Sequence, residues 1–234
     1  HAFYVGLASD MLLTRRSVVV LHDIRPLVMD TDKGFFRFKF WVHCLSTKWF
    51  AQRVFTVSDN QRHLISEKLG IPLDKIGITY NGWEHMAKVQ PDESIFEKMP
   101  AVKKGEYFYA LGSLAGHKNF KWIREVARRN PDKTFVVAGG KDLRAFGDDN
   151  EAKDTHNVFY PGYVSDAENA ALMQHCKLFL HPAVFEGFGI PPLEAVACGA
   201  KQILVSDTPC MREVYGDCAL SLIHISEPTR RRGI

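Results

Sequence analysis

Two short stretches of this chain combine residue types that could handle an anionic ligand. The first is Gly112-Ser113-Leu114-Ala115-Gly116-His117-Lys118-Asn119. Its two glycines permit close backbone approach. A helix starting at about Asn119 would point unpaired N–H groups at the loop and favour an anion there. Lys118 beside that terminus opposes the helix dipole unless an anion joins them. A phosphate would relieve the conflict; the plain alternative is a surface lysine in a tight turn. The second stretch runs from His181 to Glu194 and reads HPAVFEGFGIPPLE. Gly187 and Gly189 free the backbone to turn its N–H groups toward a ligand. Seven residues separate Glu186 from Glu194. Glu194, read as lying inside the first turn of a helix over residues 191–198, has an ordinary explanation, because an acid complements the dipole. That explanation does not reach Glu186, on the approach to the glycine turn.

Both loops need a strand before them and a helix after them, and the pattern supplies both. Residues 107–111 (YFYAL) and 177–181 (KLFLH) are short apolar runs of strand type. Phe120, Ile123 and Ala127 fall on one face of a helix ending before Asn130-Pro131. Further strands are expected at 134–138 and 202–205. Ser165 and Glu168 have capping-box spacing. Nearer the start, residues 18–21, 54–57 and 76–80 read as strands. Ser58-x-x-Gln61 reads as a second capping box opening a helix that Gly70 and Pro72 stop. Residues 83–104 are charged, carry Pro91 and Pro100, and read as a linker. Repeated β-α-β units with short apolar strands imply parallel sheets covered on both faces, with ligands beyond the carboxyl ends of the strands.

Composition narrows the class. The chain has 234 residues, 46% hydrophobic and 24% charged, with a net charge of +3. That excludes disorder, a collagen-like chain and a disulfide miniprotein. No stretch reaches the ~20 apolar residues of a membrane-spanning helix. The weak basic excess does not argue for nucleic acid. Cys44, Cys176, Cys198, Cys210 and Cys218 form no C-x-x-C pair and read as free thiols in a reducing cytoplasm. No D-x-D metal motif occurs, Asp148-Asp149 reads as a solvated loop, and His43, His63, His85, His156 and His175 lack metal spacing. His181 reads as a structural strand-end residue. Residues 33–53 interleave Lys33, Arg37, Lys39, Lys48 and Arg53 with aromatics and hold no acid. Three readings stand: a half-buried helix, an acceptor-facing surface, or contact with an anionic membrane.

HPAVFEGFGIPPLEAVACGA resembles the E-x7-E signature of retaining glycosyltransferases of the GT-B fold, family 4 type. YPGYVSDAENAALMQHCKLFL before it and ILVSDTPCMREVYGDCA after it continue the match, and GSLAGHKNF resembles the family's phosphate loop. VVVLHDIRP and VFTVSDNQRHLISEKLGIPLDKIGITYNG resemble the second half of its N-terminal domain. The resemblance covers about residues 18–219.

It implies an α/β GT-B fold of two Rossmann-like domains, here a partial N-terminal acceptor-side domain over 1–82, a linker over 83–104 and a nucleotide-sugar-binding domain over 105–219. It implies roles position by position. Glu194 would bond the ribose hydroxyls, and Glu186 would sit against the donor sugar. Gly187, Phe188 and Gly189 would offer backbone N–H groups. Gly112, Ser113 and Lys118 would face the diphosphate, Tyr163 and Val164 would line the base, and His22 would face the sugar from the N-terminal domain. Glu186, Lys118 and His22 are the expected catalytic set. The sequence departs from many relatives at Ser113, where they carry Arg, so neutralisation would lean on Lys118, the helix dipole and His117.

The implied activity is metal-independent transfer of a hexosyl group, with retention, from a nucleotide sugar to a glycan or lipid-linked acceptor. No cofactor and no nucleic-acid partner are expected. Same-face attack, with the leaving phosphate helping to remove the acceptor proton, is the implied route; a nucleophilic part for Glu186 stays open. The expected location is cytoplasmic, with peripheral contact to the inner face of the membrane as one reading. An inactive sugar-nucleotide-binding module and an epimerase on the same fold are the alternatives. Residues 220–230, LSLIHISEPTR, match the translation of a sequencing-library adapter, so 220–234 is expected to be an adapter-derived tail on a fragment.

Overall fold

The computed structural model of the protein describes residues 2–3, 17–29, 34–113, 115–139 and 155–222. The chain divides into two compact units: the first holds residues 1–81, 185–189 and 209–214, the second the remainder.

In the first unit, β1 (Ala2–Phe3), β2 (Ser17–Val20), β3 (Ala51–Thr56) and β4 (Ile76–Ile78) form a parallel sheet in that order. Helices α1 (Arg25–Val28), α2 (Phe35–Phe50) and α3 (Asp59–Leu69) accompany it. Val19, Ile24, Cys44, Val54 and Ile65 are fully buried at its centre. Ser58 caps α3 by accepting from the Gln61 N–H at 3.2 Å. The capping box expected there is only half formed: the Gln61 side chain is turned to the loop over 185–189, where its Nε2 donates to the Glu186 carbonyl at 3.3 Å, and its Oε1 accepts no bond from the Ser58 N–H. At the other end Gly70 closes α3 in the left-handed region, φ +62°.

α2 carries the basic-aromatic stretch. Its buried face includes His43, Cys44 and Thr47. Phe35, Phe36, Phe38, Trp41 and Trp49 are exposed, Phe35 at 70% and Trp49 at 69%. Lys39 lies over the Phe35 ring at 4.9 Å and Lys48 over the Trp49 ring at 5.5 Å. Arg37, Phe38, Trp41, Lys48 and Lys68 line a groove of about 660 Å³ in this unit.

The second unit contains α4 (Glu84–Ala87), β5 (Tyr107–Leu111), α5 (Phe120–Arg129), β6 (Thr134–Ala138), β7 (Val158–Gly162), α6 (Asp166–His175), β8 (Leu178–His181), α7 (Ile190–Ala197) and β9 (Ile203–Ser206). α8 (Pro209–Tyr215), which up to Val214 belongs to the first unit, and β10 (Leu220–Leu222) follow in the chain. All strands are parallel, in the order β10-β9-β8-β5-β6-β7. The chain builds outward from β5 through β6 to β7, then returns to the other side of β5 for β8 and builds outward again. The strand order therefore reverses between β5 and β8. In open α/β sheets such a reversal leaves a crevice at the carboxyl ends of the two strands, and ligands bind there. The two loops singled out by their chemistry are the ones that leave β5 and β8.

The core beneath is apolar and specific. Tyr107, Tyr109 and Phe179 are fully buried. The Tyr107 hydroxyl donates to the Leu172 carbonyl and that of Tyr109 to Asn169 Oδ1, both at 2.7 Å. Burial pushes both phenols above their ordinary range. Ser165 and Glu168 form the complete capping box of α6.

Residues 83–104, read from sequence as a linker, are folded into this unit. Ile95 is 1% exposed, and the Asp92 N–H donates to the Ala167 carbonyl at 2.9 Å. Lys98 reaches Glu168 at 2.5 Å, and its ammonium holds that carboxyl below the usual range. Glu93 is lowered likewise, by Lys104 and then His175. The charges that suggested an open spacer are ion-pair partners for α6. Of the segment read as a tail, Leu220–Leu222 pairs with β9; its alternating pattern extends a parallel edge irrespective of origin. Residues 223–234 lie outside the described residues, as does Asp148-Asp149.

Candidate functional site

In the second unit, the loop after β5 departs at Gly112. The Gly112 N–H donates to the Ala138 carbonyl at 3.1 Å, and the Gly139 N–H to the Gly162 carbonyl at 2.8 Å, lacing together the carboxyl ends of β5, β6 and β7. Gly139 makes this closeness workable. Its φ is +102°, and a Cβ there would stand 2.3 Å from the Gly112 carbonyl oxygen. The sequence marks Gly139 only as a strand end; its contact with Gly112 lies between neighbouring strands and has no local signal. Ser113 is exposed.

Gly116–Lys118 forms one 3-10 turn, and Asn119 follows in the left-handed region at φ +55°. α5 begins at Phe120, with no side-chain cap and no acid in its first turn. Ser58 and Ser165 cap α3 and α6, so this start contrasts with theirs as a place for an external anion. The Lys118 stem lies across Gly112, with Cδ 3.7 Å and Cε 3.8 Å from where a Cβ on Gly112 would be. A methyl at 112 would meet that stem at ordinary van der Waals distance.

The loop after β8 is anchored from two sides within the same unit. The Val184 N–H donates to the His117 carbonyl at 2.8 Å, which sets the two loops side by side. The Ser206 hydroxyl, at the end of β9, donates to the Ala183 carbonyl. His181 is buried at 2% exposure, as a strand-end residue.

α7 begins at Ile190, one residue earlier than the sequence suggested, so Glu194 is its fifth residue and lies in the second turn. That corrects the expectation of a first-turn acid. The helix-end field falls off within one turn, so it accounts poorly for a carboxylate here. Glu194 is 16% exposed at its side chain, and its Oε1 lies 3.0 Å from Nε2 of His85 on α4. His85 carries no signal in the sequence, 109 residues away. Tyr163 and Val164 follow β7, two strands out from β5; Tyr163 is 76% exposed and Val164 8%.

In the first unit, residues 185–189 pack against the turns after β2 and β3. The Ser58 hydroxyl donates to the Gly187 carbonyl at 2.7 Å, beside the Gln61 bond to the Glu186 carbonyl. Gly187 itself is buried. A Cβ on it would stand 2.4 Å from the His22 carbonyl oxygen and 3.2 Å from Asp23 Cβ. The structure thus brings Glu186, Gly187 and His22 into one neighbourhood. Phe188 is 6% exposed, with its ring 6.2 Å from that of Tyr80. Gly189 has φ +81°. Ser58 and Gln61 act here through tertiary bonds that their helix-capping pattern did not reveal.

The three buried thiols and the half-buried Cys198 are poor nucleophiles. Burial pushes Cys44, Cys176 and Cys210 up to about 12 and Cys198 to about 11, so they stay protonated near neutral pH. Among the described residues no three His, Cys, Asp or Glu side chains gather as a metal site.

Comparison with known proteins places this geometry in a family. The profile described as Glycosyl transferases group 1 matches residues 91–221, more than half of the chain. The serotype-specific mannosyltransferase WbdA of Escherichia coli is 44% identical over 218 residues, which are 86% of this chain and 26% of that protein. The O-antigen chain mannosyltransferase RfbU of Salmonella typhimurium is 29% identical over 217 residues, 89% of this chain and 57% of that one. The crystal structure of Anabaena HepE in complex with UDP-glucose superposes with a TM-score of 0.72 at 19% identity, over 92% of this chain and 60% of that one. WaaG, a glycosyltransferase involved in lipopolysaccharide biosynthesis, gives 0.67 at 19% identity, over 88% and 60%. The chain thus spans a quarter to about three fifths of these proteins.

Proposed function

The chain belongs to the group 1 glycosyl transferases and has their GT-B, Rossmann-like fold, and on that premise we propose that it moves a sugar, with retention and without a metal, from a nucleotide donor to a glycan or lipid-linked acceptor. The observation that carries the reading is the pair of loops at the strand-order reversal, tied by the bond from Val184 to His117. In this reading the uncapped start of α5 and the Lys118 ammonium hold the diphosphate, and Glu194 accepts two hydrogen bonds from the ribose hydroxyls. Gly187, Phe188 and Gly189 present backbone N–H groups to the sugar, with Glu186 and His22 beside its reacting carbon. Gly112 and Ser113 face the phosphates, and Tyr163 and Val164 the base. The bond from the sugar carbon to the phosphate oxygen breaks, and its electron pair goes to the leaving diphosphate. The acceptor oxygen bonds the same face of that carbon, and its proton passes to a leaving phosphate oxygen. Fixed positive groups meet the charge on that phosphate, which is why Lys118 and the helix start matter.

Glu194→Gln tests the donor half. A neutral amide offers one acceptor oxygen where the carboxylate offers two, so one charge-assisted bond of ~1.5–3 kcal/mol is lost. Calorimetric titration with UDP, GDP and ADP should show at least ~10-fold weaker binding of whichever nucleotide the parent chain prefers. Unchanged affinity would count against the assignment.

For the acceptor side, α2 supports contact with an anionic membrane surface. Exposed Phe35, Phe36, Phe38, Trp41 and Trp49 share the helix with Arg37, Lys39 and Lys48. No acid occurs from Lys33 to Arg53. Among the described residues no helix is long and apolar enough to cross a membrane, so any contact by this helix would be interfacial. Three cations at ~1 kcal/mol each favour an anionic over a neutral surface by roughly 100-fold. Co-sedimentation should show binding to phosphatidylglycerol vesicles, little to phosphatidylcholine, and loss on Phe38→Ser with Trp41→Ser. Equal behaviour of both vesicle types would overturn this part.

A further inference from the structure

We infer that His85 is a positioning residue that holds the Glu194 carboxylate in the orientation a nucleotide ribose needs; the inference rests on the donor-site reading above. His85 Nε2 lies 3.0 Å from Glu194 Oε1. A carboxylate only accepts hydrogen bonds, so this contact puts the proton on Nε2 and makes His85 the donor. The two side chains differ in surroundings: that of Glu194 is 16% exposed and that of His85 57%. The less exposed acid is therefore fixed by a group reaching in from a wetter position. A carboxylate has about four lone-pair sites. His85 takes one, on Oε1. The whole of Oε2 and the second lone pair of Oε1 remain for two hydroxyls.

The backbone supports this division of labour. Glu194 sits in the second turn of α7, and the Cys198 N–H donates to its carbonyl at 2.9 Å. Its main chain is thus set by the helix, which leaves the side-chain torsions as the freedom still to be restricted. His85 is carried on α4, a four-residue helix that packs on α7 and is anchored by Met86, 4% exposed. α4 lies in the stretch 83–104 that the sequence suggested was a spacer; its fold delivers a donor to the site. Holding a bidentate acceptor in place before the ligand arrives lowers the ordering cost at binding.

The test is calorimetric titration of the purified chain with the preferred nucleoside diphosphate and, separately, with inorganic pyrophosphate. His85→Ala should weaken nucleotide binding about 10-fold, the scale of one charge-assisted hydrogen bond. It should leave pyrophosphate affinity unchanged, because that ligand has no ribose. His85→Gln, whose Nε2 amide can donate from a similar position, should recover most of the nucleotide affinity. The pair His85→Ala with Glu194→Gln should bind no more weakly than the poorer single variant. Equal losses for nucleotide and pyrophosphate would mean general damage to α4 and overturn the role. Normal nucleotide binding by His85→Ala, with Glu194→Gln impaired, would overturn His85 alone. If Glu194→Gln also binds normally, the donor-site reading falls and takes this inference with it.

Discussion

Replacing Lys118 by alanine is expected to slow sugar transfer about 100-fold, the lower end of what one fixed donor to a developing anion contributes. The expectation follows from where the chain puts this side chain. Its stem lies across Gly112, at 3.7–3.8 Å from the space a Cβ would take, and it stands beside a helix start with no side-chain cap. A cation in that place opposes the helix dipole unless an anion lies between them. In the proposed transfer the leaving diphosphate carries more negative charge in the transition state than in the bound donor, so kcat should fall further than donor affinity. Steady-state assays over donor concentration would separate the two. Lys118→Arg should keep part of the rate, since the charge remains but its planar fork meets the phosphate differently. Turnover within about twofold of the parent for Lys118→Ala would remove this lysine from the mechanism.

The other large effect is expected of Gly187→Ala, and its cause is steric. The added methyl would lie 2.4 Å from the His22 carbonyl oxygen and 3.2 Å from Asp23 Cβ. The near atom is backbone and cannot swing aside as a long side chain would. The loop over 185–189 must then move, straining or breaking the bonds from Ser58 and Gln61 to the carbonyls of Gly187 and Glu186. Overpacking costs ~1–3 kcal/mol, and each lost bond ~0.5–1.5 kcal/mol. At ~2–4 °C per kcal/mol for a chain of this size, the Tm should drop by roughly 4–24 °C. Transfer should be lost as well, because the displaced backbone carries Glu186. Calorimetric melting and a transfer assay would check both. A Tm within about 1 °C of the parent would mean that the loop does not pack against His22.

Much of the second unit was legible in the sequence because its signals are local. Residues 107–111 and 134–138 form strands over the expected spans, since short apolar runs bounded by Gly or polar residues have few other ways to bury themselves. Ser165 and Glu168 lie three residues apart and cap α6 in full. The same spacing misled at Ser58, because the Gln61 side chain is turned to a carbonyl 125 residues away and its Oε1 does not reach back to the cap. The charged stretch 83–104 misled for a related reason: Glu93 and Lys98 pair with His175 and Glu168, which no window around them contains. Glu194 was placed in the first turn instead of the second because Ile190 opens α7 one residue ahead of the prolines. His85 and Gly139 carried no local mark of their roles.

The sequence by itself determined the residue types of the two loops, the parallel α/β class and the resemblance to a transferase family. These rest on short-range regularities: periodicity, capping spacing, and a motif contained in one loop and helix. The tertiary structure alone decided that the loops flank the reversal of strand order, that Val184 ties one to the other, that Gly187 has no room for a methyl, and that His85 meets Glu194. Each of those depends on atoms far apart in the chain meeting within a few ångströms, and such encounters are set by how strands order and pack, which no local pattern encodes.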